Sequence, residues 1–390
     1  MDPPPPTADP NPGWTRAPWS GVVQPPASAS SAAMMPPPPP RPRAPSASGG
    51  GARDDEEVHR RFDRASLFQP ADISAYFDES ADVRIDGGDV FKVRTARGAT
   101  RGRGCASIAA LCLHGCALSG ASFALFARRL ADRGGENFRV DAMDLRGHGS
   151  TRTADDRDLS LDTMAKDVAD VCARLYRDDD VQVVLVGHSM GGAVAARVAQ
   201  LDLVKNTRGV VVIDVVEGTA LASVRGEAMR AAVASRAKTF ATVADAVEWC
   251  VRVARTTSNL ESARVSTAHA LVPSGGSGDG VPTGDGVPTG DEVRGWTWRV
   301  DVAKTSKHWE GWYEGMGERF LGARCAKLLI LAGTDRLDDA LTVAQMQGKF
   351  QTVVFPNAGH AVHEDEPERC AEAVLGFAAR YARGGDAQSS

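Results

Sequence analysis

Short apolar runs that end in glycine or polar residues recur along most of this chain and limit what it can fold into. Six have the length of strands, and helix-compatible stretches separate most of them: SIAALCLHG, FRVDAMDLRG, VQVVLVGHS, GVVVIDVVEG, AKLLILAG and QTVVFP. Two earlier runs, ADVRI and DVFKVRT, flank a Gly-Gly turn and predict an antiparallel hairpin. Strands that alternate with helices predict an α/β domain with a mostly parallel central sheet flanked by helices. Ligands of such sheets bind beyond the carboxyl ends of the strands.

Composition divides the chain into a folded domain and less ordered segments. Residues 1–58 are dense in Pro, Ser, Ala and Gly, and they carry too little apolar surface to offset the entropy of ordering. The stretch PPPPPRPR in this tail is compatible with a solvated spacer or with a polyproline ligand. The strand alternation stops after Gly218, where patterns such as TVADAVEWCVRVAR predict a helical cap, and a tandem GDGVPT repeat marks a low-complexity loop. The predicted segments are a disordered tail 1–58, a first part of the core 59–218, a cap 219–324 with its loop 273–294, a second part of the core 325–383 and a disordered tail 384–390.

Charge and cysteine content exclude several classes of function. A formal charge of −5 gives no reason to expect a nucleic acid or an anionic membrane as a partner. No apolar run reaches the roughly 20 residues that span a bilayer, and the opening MDPPPPTADP lacks the pattern of a secretory signal. Seven cysteines without CxxC spacing argue against a disulfide framework and a zinc site. We therefore expect a reducing compartment, cytoplasmic or nuclear, and neither a metal nor a cofactor.

The stretch VGHSMGGAV carries the strongest chemical signal, a serine between two glycines in the order Gly187, Ser189, Gly191. The apolar run VQVVLV precedes it and the helix-compatible MGGAVAARVAQ follows it. A strand, a tight turn and a helix are the context in which such a serine hydroxyl is exposed as a nucleophile. The sequence therefore favours a nucleophilic Ser189 over a purely structural Gly/Ser turn.

A serine nucleophile needs a base and an acid that orients the base. His360, in FPNAGHAVHEDEPE, follows the last predicted strand and precedes a predicted final helix from Glu366 to Tyr381, and we predict it as the base. His363 is the competing candidate. Two carboxylates end predicted strands, Asp214 in VVVIDVVEG and Asp335 in LILAGTDRLDD, and spacing alone leaves both open as the acid.

An oxyanion formed at Ser189 would need backbone donors. The N–H of Met190 is the first, and LCLHGCALSG places Gly115 and Cys116 at the second. The loop DLRGHGST, which follows the next strand, is interpreted as scaffolding for the site.

Longer stretches resemble the protein phosphatase methylesterase family from about Leu67 to Tyr381. IDVVEGTA, NLESARVS and QMQGKFQ are the most specific, and LCLHG, DLRGHG, LVGHSMGGAVA, KLLILAGTDRLD and GHAVHEDEPE agree with them. The resemblance implies an α/β-hydrolase fold and a serine esterase that removes the methyl ester from the C-terminal leucine of the type-2A protein phosphatase catalytic subunit. It also implies that Asp214 is the acid of a triad with Ser189 and His360.

The same resemblance implies that docking with the phosphatase brings the triad into line. It marks Met346, Gln347, Lys349 and Trp298 as partner-binding residues, although Met346 is equally compatible with an ordinary surface methionine. The tryptophans of the cap shape a groove for the phosphatase tail or pack in the cap core: Trp296, Trp298, Trp309 and Trp312. The chain departs from the family at Cys116 and Ala117, where further glycines are expected, and this puts the second oxyanion donor in question.

Overall fold

The computed structural model describes residues 66–98, 107–177, 181–274, 295–333 and 336–381. The two predicted tails, nearly all of the predicted loop 273–294 and the candidate acid Asp335 lie outside these ranges. Within them, no helix is long and apolar enough to cross a lipid bilayer.

The central sheet has eight strands in the order β1-β2-β4-β3-β5-β6-β10-β11. Their bounds are β1 Glu79–Arg84, β2 Val90–Arg97, β3 Ile108–Leu113, β4 Phe138–Met143, β5 Gln182–His188, β6 Thr207–Ile213, β10 Ala326–Leu331 and β11 Gln351–Val354. β2 pairs antiparallel with both β1 and β4, and every other pair in the sheet is parallel. The predicted hairpin and the mostly parallel sheet are therefore confirmed.

Helices cover both faces of this sheet, so its central strands are buried on both sides. In β5, Val183 and Leu185 face one apolar cluster, whereas Val184 and Val186 face the other. The first cluster includes residues of α2 Leu161–Leu175 and α3 Met190–Gln200, and the second includes residues of α1 Ala124–Gly134 and α12 Pro367–Tyr381.

The segment between β6 and β10 forms a cap that is not purely helical. Its helices are α4 Glu217–Arg225, α5 Glu227–Ser235, α6 Val243–Trp249, α7 Leu260–Ser266, α8 Val302–Tyr313 and α9 Met316–Gly322. A small antiparallel sheet in the order β7-β9-β8 joins them, formed by β7 Thr239–Phe240, β8 Leu271–Pro273 and β9 Trp296–Trp298. The prediction of a helical cap missed this sheet, whose central strand is an aromatic and β-branched Trp-Thr-Trp run that suits a pleated surface.

Two further helices lie in the second part of the core, α10 Asp339–Met346 and the short α11 Val362–Asp365. Register brings the ends of β5 and β6 together, since His188 pairs with Ile213 and both strands are parallel. The residues that follow these strands, Ser189 and Asp214, consequently lie at the same edge of the sheet.

Candidate active site

Ser189 occupies a strained turn between β5 and α3. Its φ of 51° and ψ of −117° are unusual for any residue other than glycine, and such conformations cost about 1–3 kcal/mol. A Cβ on Gly187 would come within 2.2 Å of the Gly191 carbonyl oxygen, and one on Gly191 within 2.1 Å of the Leu113 carbonyl oxygen. Both glycines are therefore required by close backbone contact, and the turn has the geometry of a nucleophile elbow.

Asp214 follows β6 and is hydrogen-bonded to His360. His360 Nδ1 lies 2.8 Å from Asp214 Oδ2, across 146 positions of sequence. The backbone N–H of Ala332 donates to the other carboxylate oxygen at 2.8 Å. Arg336 also donates to Oδ2, from Nη1 at 2.5 Å. The Asp214 side chain is fully buried, whereas the His360 side chain is 54% exposed.

Cap residues hold the loop that carries His360. Asp365 accepts a hydrogen bond from Gly359 N through Oδ2 and from Ser258 N through Oδ1, both at 2.6 Å. One turn further on, Ser262 of α7 donates to the carbonyl oxygen of Glu364 at 2.8 Å. Ser258 and Ser262 of the cap thus anchor the segment that carries His360.

Ser189 is not hydrogen-bonded to His360 in the described part of the chain; the side-chain partner of His360 is Asp214. Tyr313, at the end of α8, lies against the serine instead. Burial raises the pKa of Tyr313, and a hydrogen bond with Ser189 acts in the opposite direction. The His360–Asp214 pair is thus assembled, while the Ser189 side chain contacts Tyr313 of the cap.

Gly115 brings the loop after β3 against Ser189. A Cβ added to Gly115 would lie 3.4 Å from Ser189 Cβ and 2.7 Å from His188 Nδ1. His114 fixes this loop: its Nε2 accepts from the N–H of Leu145 at 2.9 Å, so Nδ1 carries the proton and donates to the Gly115 carbonyl oxygen at 2.8 Å. Met190 follows Ser189 directly as the first residue of α3.

The backbone of Ala117 is strained, because alanine stands at a position of this loop where glycine is expected. It has a φ of 64°, in a turn closed by a hydrogen bond from Leu118 N to the Gly115 carbonyl oxygen at 3.2 Å. Next to it, Cys116 Sγ lies 3.6 Å from Thr305 Oγ1 of α8. The loop therefore keeps the glycine-type conformation and uses a thiol to contact the cap.

His363, the competing base, lies away from the acid. It is fully buried, stacks on Phe123 with ring centroids 4.2 Å apart, and its Nε2 lies 3.3 Å from Ser122 Oγ. Burial lowers its pKa to about 3. The structure brings His360, and not His363, to Asp214.

Sequence reasoning missed three neighbours of the site, namely His188, Tyr313 and Arg336. His188 lies 3.0 Å from the His360 carbonyl oxygen through Nε2, and the two rings are 4.7 Å apart. The signal that could have identified His188 is its position directly before Ser189 in the sequence. Nothing in the sequence near Tyr313 or Arg336 connects them to Ser189 or Asp214.

The cap tryptophans divide into buried and half-buried residues. Trp296, Trp309 and Trp312 are buried, and the indole N–H of Trp312 donates to the Leu159 carbonyl oxygen at 2.6 Å. Trp298 is half-buried and carries the guanidinium of Arg236 4.0 Å above its ring. Trp298 and Trp309 line a cap cavity of about 830 Å³ together with Arg225, Arg230, Arg236 and Lys238.

Met346 ends α10 on the protein surface. Its side chain is 84% exposed, and Gln347 and Lys349 are exposed beside it. Val343, one turn earlier in the same helix, is 53% exposed. These residues form an accessible, partly apolar surface. Within the described ranges, no cluster of three His, Cys, Asp or Glu side chains could hold a metal ion.

Known proteins identify the family to which this geometry belongs. The family model "Alpha/beta hydrolase family" matches residues 110–373, more than half of the chain. Protein phosphatase methylesterase 1 of Bos taurus is 38% identical over 342 residues, which cover 80% of this chain and 87% of the relative. This chain belongs to the protein phosphatase methylesterase family.

A second relative supports the assignment to the methylesterase family, and a solved structure supports the fold. A probable protein phosphatase methylesterase 1 of Caenorhabditis elegans is 39% identical and covers 79% of this chain and 77% of its own length. Among solved structures, E-2-(acetamidomethylene)succinate hydrolase matches with a TM-score of 0.57 at 21% identity, over 77% of this chain and 99% of the hydrolase. That likeness shows the fold alone. The predicted α/β-hydrolase fold and the predicted family are therefore confirmed, and the chain is a serine hydrolase of the esterase class.

Proposed function

We propose that this chain removes the methyl ester from the C-terminal leucine of the type-2A protein phosphatase catalytic subunit. The observation that carries the proposal is the His360–Asp214 hydrogen bond beside the Ser189 elbow in a chain of the methylesterase family. A methylated leucine carboxylate is an ester, which an activated serine attacks.

The mechanism assigns one role to each member of the triad. His360 takes the proton of Ser189 as the hydroxyl oxygen attacks the ester carbonyl, and Asp214 stabilises the imidazolium that forms. The N–H of Met190 and an N–H of the loop at Gly115 and Cys116 hold the oxyanion. His360 then returns the proton to the leaving methoxide, methanol departs, and a water molecule activated by His360 hydrolyses the acyl-enzyme.

The cap cavity suits an extended peptide end. Trp298 and Trp309 supply apolar walls, and Arg230, Arg236 and Lys238 supply positive charge. Trp309 of the cavity lining is linked to the oxyanion loop through buried side chains, because it donates to Thr305 Oγ1 at 2.8 Å and Thr305 contacts Cys116. We assign the phosphatase tail to this cavity.

Docking on Met346, Gln347 and Lys349 completes the proposal. In the free chain Ser189 lacks a hydrogen bond to His360, which fits a site that the partner brings into line. All six cysteines that the structure describes are free, which fits a reducing compartment, and we assign the protein to the cytoplasm or nucleus.

Mass spectrometry of the phosphatase C-terminal peptide tests the function. The intact enzyme should shift the methylated peptide to the free acid when added to the methylated phosphatase, and Ser189→Ala should leave it methylated. Turnover of a panel of small esters without any change of the phosphatase peptide would instead identify a small-molecule ester hydrolase. Binding of the phosphatase with no turnover of any ester, and no fluorophosphonate labelling of Ser189, would identify a non-catalytic regulator.

A further inference from the structure

A single oxygen of the Asp214 carboxylate contacts two groups, the guanidinium of Arg336 and the imidazole of His360, which becomes a cation when it takes up a proton. Oδ2 accepts from His360 Nδ1 at 2.8 Å and from Arg336 Nη1 at 2.5 Å, while Oδ1 is occupied by the N–H of Ala332. The proposed mechanism gives His360 its partner but leaves Arg336 without a role.

Arg336 is placed to act on the charge of the pair and not merely to fill space. Its side chain is 36% exposed, while the carboxylate it contacts is fully buried. The neighbouring Leu337 packs against the apolar core, and Asp338 caps α10 by accepting from Leu341 N at 2.9 Å. Arg336 thus directly precedes two anchored residues, and its guanidinium lies on the carboxylate of Asp214.

The other titratable groups around His360 do not supply a comparable charge. His188 and His363 are both fully buried, and burial lowers the pKa of each, so both rings are neutral at pH 7. Asp365, on α11, is engaged by the backbone of the histidine loop and by Ser258. Among the described residues in contact with the pair, the guanidinium of Arg336 is therefore the permanent positive charge.

We propose that Arg336 is a positioning residue that holds Asp214 and restrains His360 as a base in the free chain. Attack by Ser189 converts His360 to a cation, and the carboxylate stabilises that cation. A guanidinium on the same oxygen repels the cation and shares the carboxylate charge. Two unit charges about 5 Å apart near a protein surface interact strongly enough to change a rate about three- to tenfold after solvent screening.

This inference rests on the proposed roles of Ser189, His360 and Asp214, and a matched pair of variants tests it. Arg336→Gln removes the charge and keeps an amide donor, whereas Arg336→Lys keeps the charge. The measurement is the second-order rate of fluorophosphonate labelling of Ser189 in the full chain, from pH 5 to 9, without phosphatase. Melting temperatures of both variants establish that they are folded.

We expect Arg336→Gln to label about three- to tenfold faster than the wild type, with the acid limb of its pH profile at higher pH, because the imidazolium loses a repulsive neighbour. Arg336→Lys should match the wild type. Slower labelling by both variants, or an unchanged rate and pH profile in Arg336→Gln, overturns the inference while leaving the proposed function intact. A wild-type chain that labels no more than Ser189→Ala overturns the role of Ser189 and this inference with it.

Discussion

Two aspartate–arginine pairs lie at the carboxyl edge of the sheet, and they differ in burial. Asp144, after β4, pairs with Arg94 at 3.0 Å, with side-chain exposures of 0% and 1%. Asp214, after β6, pairs with Arg336 at 2.5 Å, with exposures of 0% and 36%. We call the buried Asp144–Arg94 pair the closed pair and the partly exposed Asp214–Arg336 pair the open pair.

Backbone donors complete the hydrogen bonding of the carboxylate in the closed pair. Asp144 also accepts from the N–H of Gly120 at 2.7 Å and of Ser150 at 2.8 Å. Burial alone would raise the pKa of Asp144, but the charge of Arg94 and these N–H groups outweigh it and the pKa is lowered. Asp144 therefore fixes two loops, whereas Asp214 shares one oxygen between Arg336 and a half-exposed histidine.

Neutralising the carboxylate of the open pair should affect activity most. Asp214→Asn should lower methyl release about 10⁴-fold, because the amide cannot stabilise the imidazolium of His360 and favours the wrong tautomer. The measurement is methanol or free-acid peptide formed per enzyme. Asp335→Asn is the control. Loss of turnover in the control alone would assign the acid to Asp335.

Neutralising the closed pair should affect stability. Asp144→Asn should lower the free energy of unfolding by about 3–5 kcal/mol, since it leaves the buried guanidinium of Arg94 without this counter-charge. Urea denaturation measures the change. The exposed Lys166–Asp170 pair offers the matched control, and Asp170→Asn should cost at most about 1 kcal/mol. Equal losses in the two variants would contradict the distinction by burial.

Two buried histidines lie beside each pair, so the free energy of unfolding should depend on pH. His114 and His148 are 5.0 Å apart beside Asp144, and His188 and His363 are 4.6 Å apart beside His360. Burial lowers the pKa of all four, to about 3 for His148 and His363. The unfolded chain binds these protons from about pH 6.5 downward, so the free energy of unfolding should fall as the pH falls below 6.5.

Two buried carboxyls oppose this trend, because burial raises the pKa of Asp167 and of Glu364. Burial raises the pKa of Glu364 to about 8, so its contribution to stability grows as the pH falls from 8 toward 4.5. His148 and His363, less the opposing Glu364, give a net uptake on unfolding of about one proton near pH 5.5, or roughly 1.4 kcal/mol per pH unit, and His114 and His188 act in the same direction as the other two histidines. Urea curves at pH 7 and 5.5 measure it. A free energy that does not change between these pH values would show that the histidines are not buried as neutral rings.

The smallest expected effect concerns the loop between the two pairs. Ala117→Gly should raise the free energy of unfolding by about 1 kcal/mol, because a φ of 64° strains alanine and not glycine. Ala231→Gly, at an exposed position inside α5, is the control and should lower stability by about 0.5–1 kcal/mol. A loss of stability in both variants would contradict the strain at Ala117.

Most of the sheet could be predicted from the sequence because its signals are local. The apolar runs, the Gly-Gly hairpin and the final helix, which begins at Pro367, one residue after the predicted start, all follow from periodicity and turn chemistry. The cap sheet was missed because its strands are two or three residues long and pair across distant segments. Hydrophobic periodicity cannot be recognised in runs of two or three residues.

The local sequence specifies the turn at Ser189, because Gly187 and Gly191 make close backbone contacts within the turn and with the end of β3. It left the acid open between two strand ends, and only the family resemblance favoured Asp214. Tertiary structure alone decided that His360 and Arg336 share one oxygen of Asp214, across 146 and 122 positions of sequence. The physical reason is range. Steric and turn preferences act along the chain, whereas a shared carboxylate depends on where three separate segments meet.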